Sequence, residues 1–221
     1  MENYFNPDCL VKICGLNSSE TVEAAVAFGA SMLGFVFYPQ SPRAISPELA
    51  TEFVRRLPTG VKAVGLFVDP EDSWLEQVLS QVPLDMIQLH GDESPDRVAE
   101  IKAYYPLPII KAVKIGDAAD LENILKYRHR ADIILLDAKP PSNVTPMLPG
   151  GNGLSFDWTL LADMPLPGPW MLSGGLNAEN VTEAVEITNA KMVDVSSGVE
   201  TAPGQKSLEL MEEFLQQVSR C

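Results

Sequence analysis

The sequence is short of histidine, cysteine and positive charge, and each shortage narrows what the chain can do. The two histidines in 221 residues, His90 and His129, do not stand in a paired-histidine zinc pattern. Cys9, Cys14 and Cys221 are an odd number of cysteines spread along the chain. They fit neither a disulfide framework nor paired zinc-ligand spacing, and are expected as reduced thiols. With 16 Lys and Arg against 30 Asp and Glu, the formal net charge is -14, which works against nucleic acid and against anionic membrane headgroups. Any anionic ligand must therefore be met by a few local positive groups. The uncharged stretch from Ala24 to Pro42 is the one candidate for a membrane span, but its helical spacing stops at Gly29 and a strand-like run follows. The opening MENYFNPDCL lacks a basic region followed by an apolar run, so no secretory signal is expected and the cytoplasm is the expected location. A Walker loop and a Rossmann glycine signature after a strand are also missing.

What the sequence does have is alternation. Short runs rich in Val, Ile, Leu and Phe predict strands over Leu10 to Gly15, Met32 to Tyr38, Ala63 to Asp69, Met86 to His90, Ile109 to Lys114, Ile133 to Ala138, Trp170 to Ser173 and Val193 to Ser196. Longer stretches with apolar residues at three- and four-residue spacing lie between them. Ser18-Ser19-Glu20-Thr21, Ser46-Pro47-Glu48, Ser94-Pro95-Asp96 and Asn177-Ala178-Glu179 read as helix starts, each offering a capping side chain or a first-turn proline. Eight βα units of roughly 25 residues fit closure into one (β/α)8 TIM barrel over residues 1–221 better than an open, doubly wound sheet.

In such a barrel the active site lies at the carboxyl ends of the strands, and residues two apart on a strand share a face. Lys12 and Cys14 pair in this way, as do Gln88 with His90 and Asp194 with Ser196. Cys14, with a lysine beside it, can serve as a base, although an isolated strand cysteine is more often a small buried apolar group. Asp137 ends the run Ile133-Ile134-Leu135-Leu136, where partial burial would favour its protonated form and let it act as an acid. Capping of the following loop is its other reading. His90 points to the barrel mouth and reads as a hydrogen-bonding or substrate-positioning group. Arg43, between prolines on the rim, can take a carboxylate in a two-point contact. The turns containing Ser173-Gly174-Gly175 and Asp194-Val195-Ser196-Ser197-Gly198 follow the last two predicted strands, where glycines let backbone N–H groups approach a phosphate. The segment Pro149-Gly150-Gly151-Asn152-Gly153 can wrap the same site.

The strings VKICG, FVFYPQSPR, QLHGDE, LLDA, PGGNGLSFDW, LSGGL and DVSSGVE stand in an order and spacing that resembles the phosphoribosylanthranilate isomerases, along the whole chain. The resemblance implies an Amadori rearrangement of tryptophan biosynthesis, without metal or organic cofactor, with Cys14 as general base and Asp137 as general acid. It implies a phosphorylated small-molecule substrate, and a protein that works as a monomer or weak homodimer. Gly174, Gly175, Ser197 and Gly198 would hold the phosphate with Gly151 and Gly153 nearby, and Arg43 would hold the anthranilate carboxylate. Lys12, His90, Ser173 and Asp194 complete the expected substrate-contacting set. The chain departs from many relatives at Asn152 and Leu154-Ser155, where a basic or hydroxyl residue is usual. Two other readings remain open beside it: another sugar-phosphate barrel, such as a two-carboxylate isomerase or a metal-dependent epimerase, and a barrel that binds phosphorylated ligands without turnover.

Overall fold

The computed structural model describes residues 8–140, 150–162, 166 and 168–221. Pro149 lies outside them. Eight parallel strands close into a barrel in sequence order: β1 (Leu10–Cys14), β2 (Met32–Val36), β3 (Lys62–Phe67), β4 (Met86–Leu89), β5 (Ile109–Ile115), β6 (Ile133–Ala138), β7 (Trp170–Leu172) and β8 (Met192–Val195). Between or after them lie the helices α1 (Ser19–Phe28), α2 (Pro47–Val54), α3 (Asp72–Gln81), α4 (Pro95–Tyr104), α5 (Glu122–Lys126), α6 (Val181–Thr188) and α7 (Leu208–Val218). The uncharged stretch resolves into the end of α1, a left-handed turn at Gly29 and β2. No helix among the described residues is long and apolar enough to cross a membrane.

The serines foreseen as caps take that role. The side chains of Ser18, Ser46 and Ser94 accept from the backbone N–H of Thr21, Leu49 and Arg97, and Pro47 and Pro95 open their helices where an N–H would lack a partner. Asn177 does not start its helix. Its Oδ1 accepts from the N–H groups of Glu179 and Asn180, which closes a turn, and α6 begins only at Val181. The eight-unit repeat is also uneven. Among the described residues β6 is followed by a single 3-10 turn, Trp158–Leu161, in a segment whose prolines and glycines oppose a full helix. After β8 the chain first makes a small hairpin of β9 (Glu200–Ala202) and β10 (Gln205–Lys206).

Alternation along the strands divides the core into two. Val11, Ile13, Leu33, Phe35, Ile87 and Leu136 face outward and pack under the helices, whereas Met32, Val64, Ile110, Ile133, Leu135 and Met171 fill the barrel interior. Toward the carboxyl ends the inward positions turn polar, with Lys12, Gln88, Asp137 and Asp194 all buried. Burying such groups is unfavourable unless they are paired, so their partners define the site.

Candidate active site

Cys14 ends β1, His90 follows β4, Asp137 stands near the end of β6, and Ser173 follows β7. Together with Arg43, Asp194 and Ser197 they border a cleft of about 760 Å³ at the carboxyl face of the barrel. Lys12 does not reach this cleft. It is completely buried beneath it, with Nζ 2.8 Å from Asp194 Oδ1, while Ser173 Oγ donates to Asp194 Oδ2 at 3.2 Å. Lys12 and Cys14 share the space left by Gly34: a Cβ there would stand 2.8 Å from the Cys14 sulfur and 3.1 Å from Lys12 Nζ. Burial works against the Lys12 ammonium, but Asp194 and Cys14 outweigh it and hold the group charged beyond the ordinary lysine range.

Cys14 corrects one expectation. Its environment pushes the thiol above its ordinary range, because burial is the largest influence and Asp194 adds to it. Lys12 and Lys206 pull the other way, as expected for nearby ammonium groups, without overcoming it.

Asp137 is held by two donors or donor-capable groups. Oδ1 accepts from the Ala138 N–H at 2.9 Å, and Oδ2 lies 3.0 Å from His90 Nε2, whose Nδ1 in turn lies 2.9 Å from Gln88 Nε2. Gly150 lies directly against this pair, for a Cβ on it would collide with His90 Nε2.

Arg43 is buried and already bound. Its Nε and Nη2 make parallel 2.8 Å contacts to the two oxygens of Glu200, and Nη2 also donates to Gly151 O at 3.2 Å. Lys206 Nζ joins Glu200 at 2.6 Å and donates to the Ser196 carbonyl at 2.9 Å. Burial opposes the Glu200 carboxylate, yet Arg43 and Lys206 hold it ionised below the usual range. For Lys206, burial dominates and brings the ammonium down. Glu200 stands in the DVSSGVE string but was not assigned to the site, and nothing in the sequence marks Lys206, which comes from the β10 hairpin. Gln88 was recognised only as sharing a face with His90.

The glycine turns lie against one another. Gly175 has φ +66°, and a Cβ on it would lie 2.6 Å from the carbonyl carbon of Leu154, so the loop after β6 rests directly on the turn after β7. Gly198 lies against Leu176 O, which joins the turns after β7 and β8. Gly151, Gly153, Gly174, Gly175 and Ser197 border the cleft; Gly198 lies just behind it. The model of the N-(5'-phosphoribosyl)anthranilate (PRA) isomerase family matches residues 11–217. The chain belongs to this family.

Relatives agree along nearly the full length. The PRA isomerase of Rhodospirillum centenum is 57% identical over 205 residues, covering 93% of this chain and 95% of its own, and that of Parvibaculum lavamentivorans is 51% identical over 210 residues, covering 95% and 98%. Among solved structures, the PRA isomerase of Thermotoga maritima superposes with TM-score 0.86 at 38% identity, covering 96% of this chain and all of its own. A PRA isomerase structure in complex with reduced 1-(o-carboxyphenylamino)-1-deoxyribulose 5-phosphate superposes with TM-score 0.83 at 37% identity over the same shares. A thiamine phosphate pyrophosphorylase from Pyrococcus furiosus, at 20% identity and TM-score 0.59, shares the barrel fold.

Proposed function

We propose that the chain carries out its family's isomerisation by general acid–base catalysis, with Asp137 as acid and Cys14 as base. The substrate is N-(5'-phosphoribosyl)anthranilate, the product 1-(2-carboxyphenylamino)-1-deoxyribulose 5-phosphate, and the reaction a step of tryptophan biosynthesis. The observation that carries the reading is the shared cleft: Cys14 on β1 and Asp137 on β6 open into it, with glycine turns and Arg43 also on its wall.

Asp137 gives its proton to the furanose ring oxygen, the bond from that oxygen to the first ribose carbon breaks, and the nitrogen lone pair forms an iminium. The iminium acidifies the second carbon. Cys14, as thiolate, takes that carbon's proton, and the electron pair left behind makes the enolamine. Tautomerisation then moves the hydroxyl proton to the first carbon and leaves the ketone. Since Asp137 has lost one proton and Cys14 gained one, exchange with water restores the enzyme. The thiolate forms against burial, and the ammonium groups of Lys12 and Lys206 reduce that cost.

Backbone N–H groups of Gly174, Gly175, Ser197 and Gly198 suit the phosphate, with Gly151 and Gly153 beside them. Arg43 suits the anthranilate carboxylate; with Glu200 fixing one edge of its guanidinium, the Nη1 side is left to meet the ligand. Ser173, Asp194 and Lys12 support the base from below. The chain is read as acting as a monomer or weak homodimer, and the reaction fits the cytoplasm. The test generates the substrate in situ and follows loss of its anthranilate fluorescence. Cys14→Ala and Asp137→Asn should each lower kcat by about two orders of magnitude or more with the fold intact. A wild-type protein that binds the product yet turns nothing over would instead make this a phosphate-binding barrel without chemistry.

A further inference from the structure

Gln88 is fully buried inside the barrel, below His90, and its hydrogen bonding constrains the acid. Its Nε2 meets His90 Nδ1 at 2.9 Å, and His90 Nε2 meets Asp137 Oδ2 at 3.0 Å. An amide NH2 group can only donate. His90 Nδ1 must therefore offer a lone pair, the single proton of the neutral ring must sit on Nε2, and Asp137 must accept it. In this arrangement Asp137 is a carboxylate and has no proton to give through Oδ2. Among the described residues Gln88 Oε1, meanwhile, has no hydrogen-bond partner, an unfavourable state for a buried carbonyl oxygen.

A proton on Asp137 Oδ2 needs the opposite chain of donors. His90 Nε2 must then accept, the ring proton must sit on Nδ1, and Nδ1–H must find an acceptor. Turning the Gln88 amide end for end puts Oε1 in that place. The same three side chains then bond in reverse, Oδ2–H to Nε2 and Nδ1–H to Oε1, and the position without a partner passes from Oε1 to the amide NH2. The two arrangements differ by one proton on the His90–Asp137 pair, exchanged with water. The other ionisable groups bordering the cleft among the described residues are Cys14 on β1, Tyr38 and Arg43 beyond β2 and Asp194 on β8, while Asp69 and Glu93 lie beside Gly91, which belongs to the turn after β4.

We propose that Gln88 is a positioning residue for the acid, an amide with two orientations that selects the tautomer of His90 and so decides whether Asp137 accepts or carries a proton. The proposal rests on Asp137 being the acid. Its first readout needs no turnover. The chain has only two histidines, His90 and His129, so 15N-histidine labelling gives two rings to assign. Slightly above neutral pH the wild-type His90 ring should show a proton on Nε2 alone. Gln88→Glu, nearly isosteric and as a carboxylate offering only acceptors, should place a proton on Nδ1. Gln88→Leu should leave the ring exchanging between tautomers. In turnover, Gln88→Leu should lower kcat about tenfold or more, part of what a positioned acid contributes, with KM nearly unchanged. A wild-type ring protonated on Nδ1, or ring spectra that ignore both substitutions, would overturn the relay. A fully active Asp137→Asn would sink the acid assignment instead, while leaving the tautomer result standing, so the two failures are separable.

Discussion

Cys14, the base in the mechanism proposed above, occupies a position that favours the thiol. Burial raises it, Asp194 raises it further, and only Lys12 and Lys206 oppose them. The sign of the consequence follows: the base form is lost as pH falls, and any change that weakens the ammonium field moves that loss to higher pH. Lys12→Met removes one ammonium and also leaves Asp194 without its 2.8 Å partner, and both effects push the thiol upward. The lower limb of kcat/KM against pH should shift upward in that variant, and the pH midpoint for alkylation of Cys14 by iodoacetamide should shift with it. A midpoint at or below that of a free thiol, near ~8.5, in the wild type would contradict the account. Cys14 and Asp137 were legible as candidates because each is a reactive side chain at the end of an apolar strand. The net direction for Cys14 was not legible, since it depends on how deep the residue lies and on Lys206, which is far away in the chain.

At the scale of elements, strands and capped helices follow from local patterns, whereas the pairings between elements do not. Ser46-Pro47 and Ser94-Pro95 could be read because a cap and its target lie three residues apart. Asn177 misled because the same side chain that caps a helix also closes a turn. Lys111 shows the limit: within the strand run Ile109–Ile115 it looks like an interruption, yet it is buried with Nζ 2.9 Å from Glu93 Oε2 and bonded to the carbonyls of Gly91 and Ala112. Glu93 also accepts from the N–H groups of Asp69 and Gly91, so one carboxylate ties the turns after β3 and β4 to Lys111 within β5, beside His90. Glu93→Ala would leave the Lys111 ammonium buried and unpaired, and should destabilise the fold by about 3–5 kcal/mol in urea unfolding. The double variant Glu93→Leu with Lys111→Met should lose less than the two single losses added, because it strands no charge. Equal additivity would show that the pair is uncoupled.

Over the whole molecule, a net charge of -14 coexists with a site built for an anion because the cations are few and placed, with Arg43 on the cleft wall, Lys12 beneath it, and Lys206 near enough to act on Cys14. The barrel that places them is not equally strong all round. β5 and β6 keep register from Ile110 against Ile133 to Ile115 against Ala138, while β7 spans only Trp170–Leu172 and meets β8 at Leu172 against Val193. Local opening concentrates where a ladder is short, so this seam is the expected first point of exchange. It is also where the turns carrying Gly174, Gly175, Ser197 and Gly198 emerge, and an anion held by both turns would bridge the seam from above. In hydrogen-exchange mass spectrometry, a peptide covering β7 should exchange before peptides covering β5 or β6, and added inorganic phosphate should slow the β7 peptide most. A ligand that only stabilised the folded state as a whole would slow global opening everywhere alike, without singling out this seam. Preferential slowing at β7 therefore separates an anion seated between the two glycine turns from one bound elsewhere on the barrel, and protection centred on another strand would move the phosphate site away from these turns.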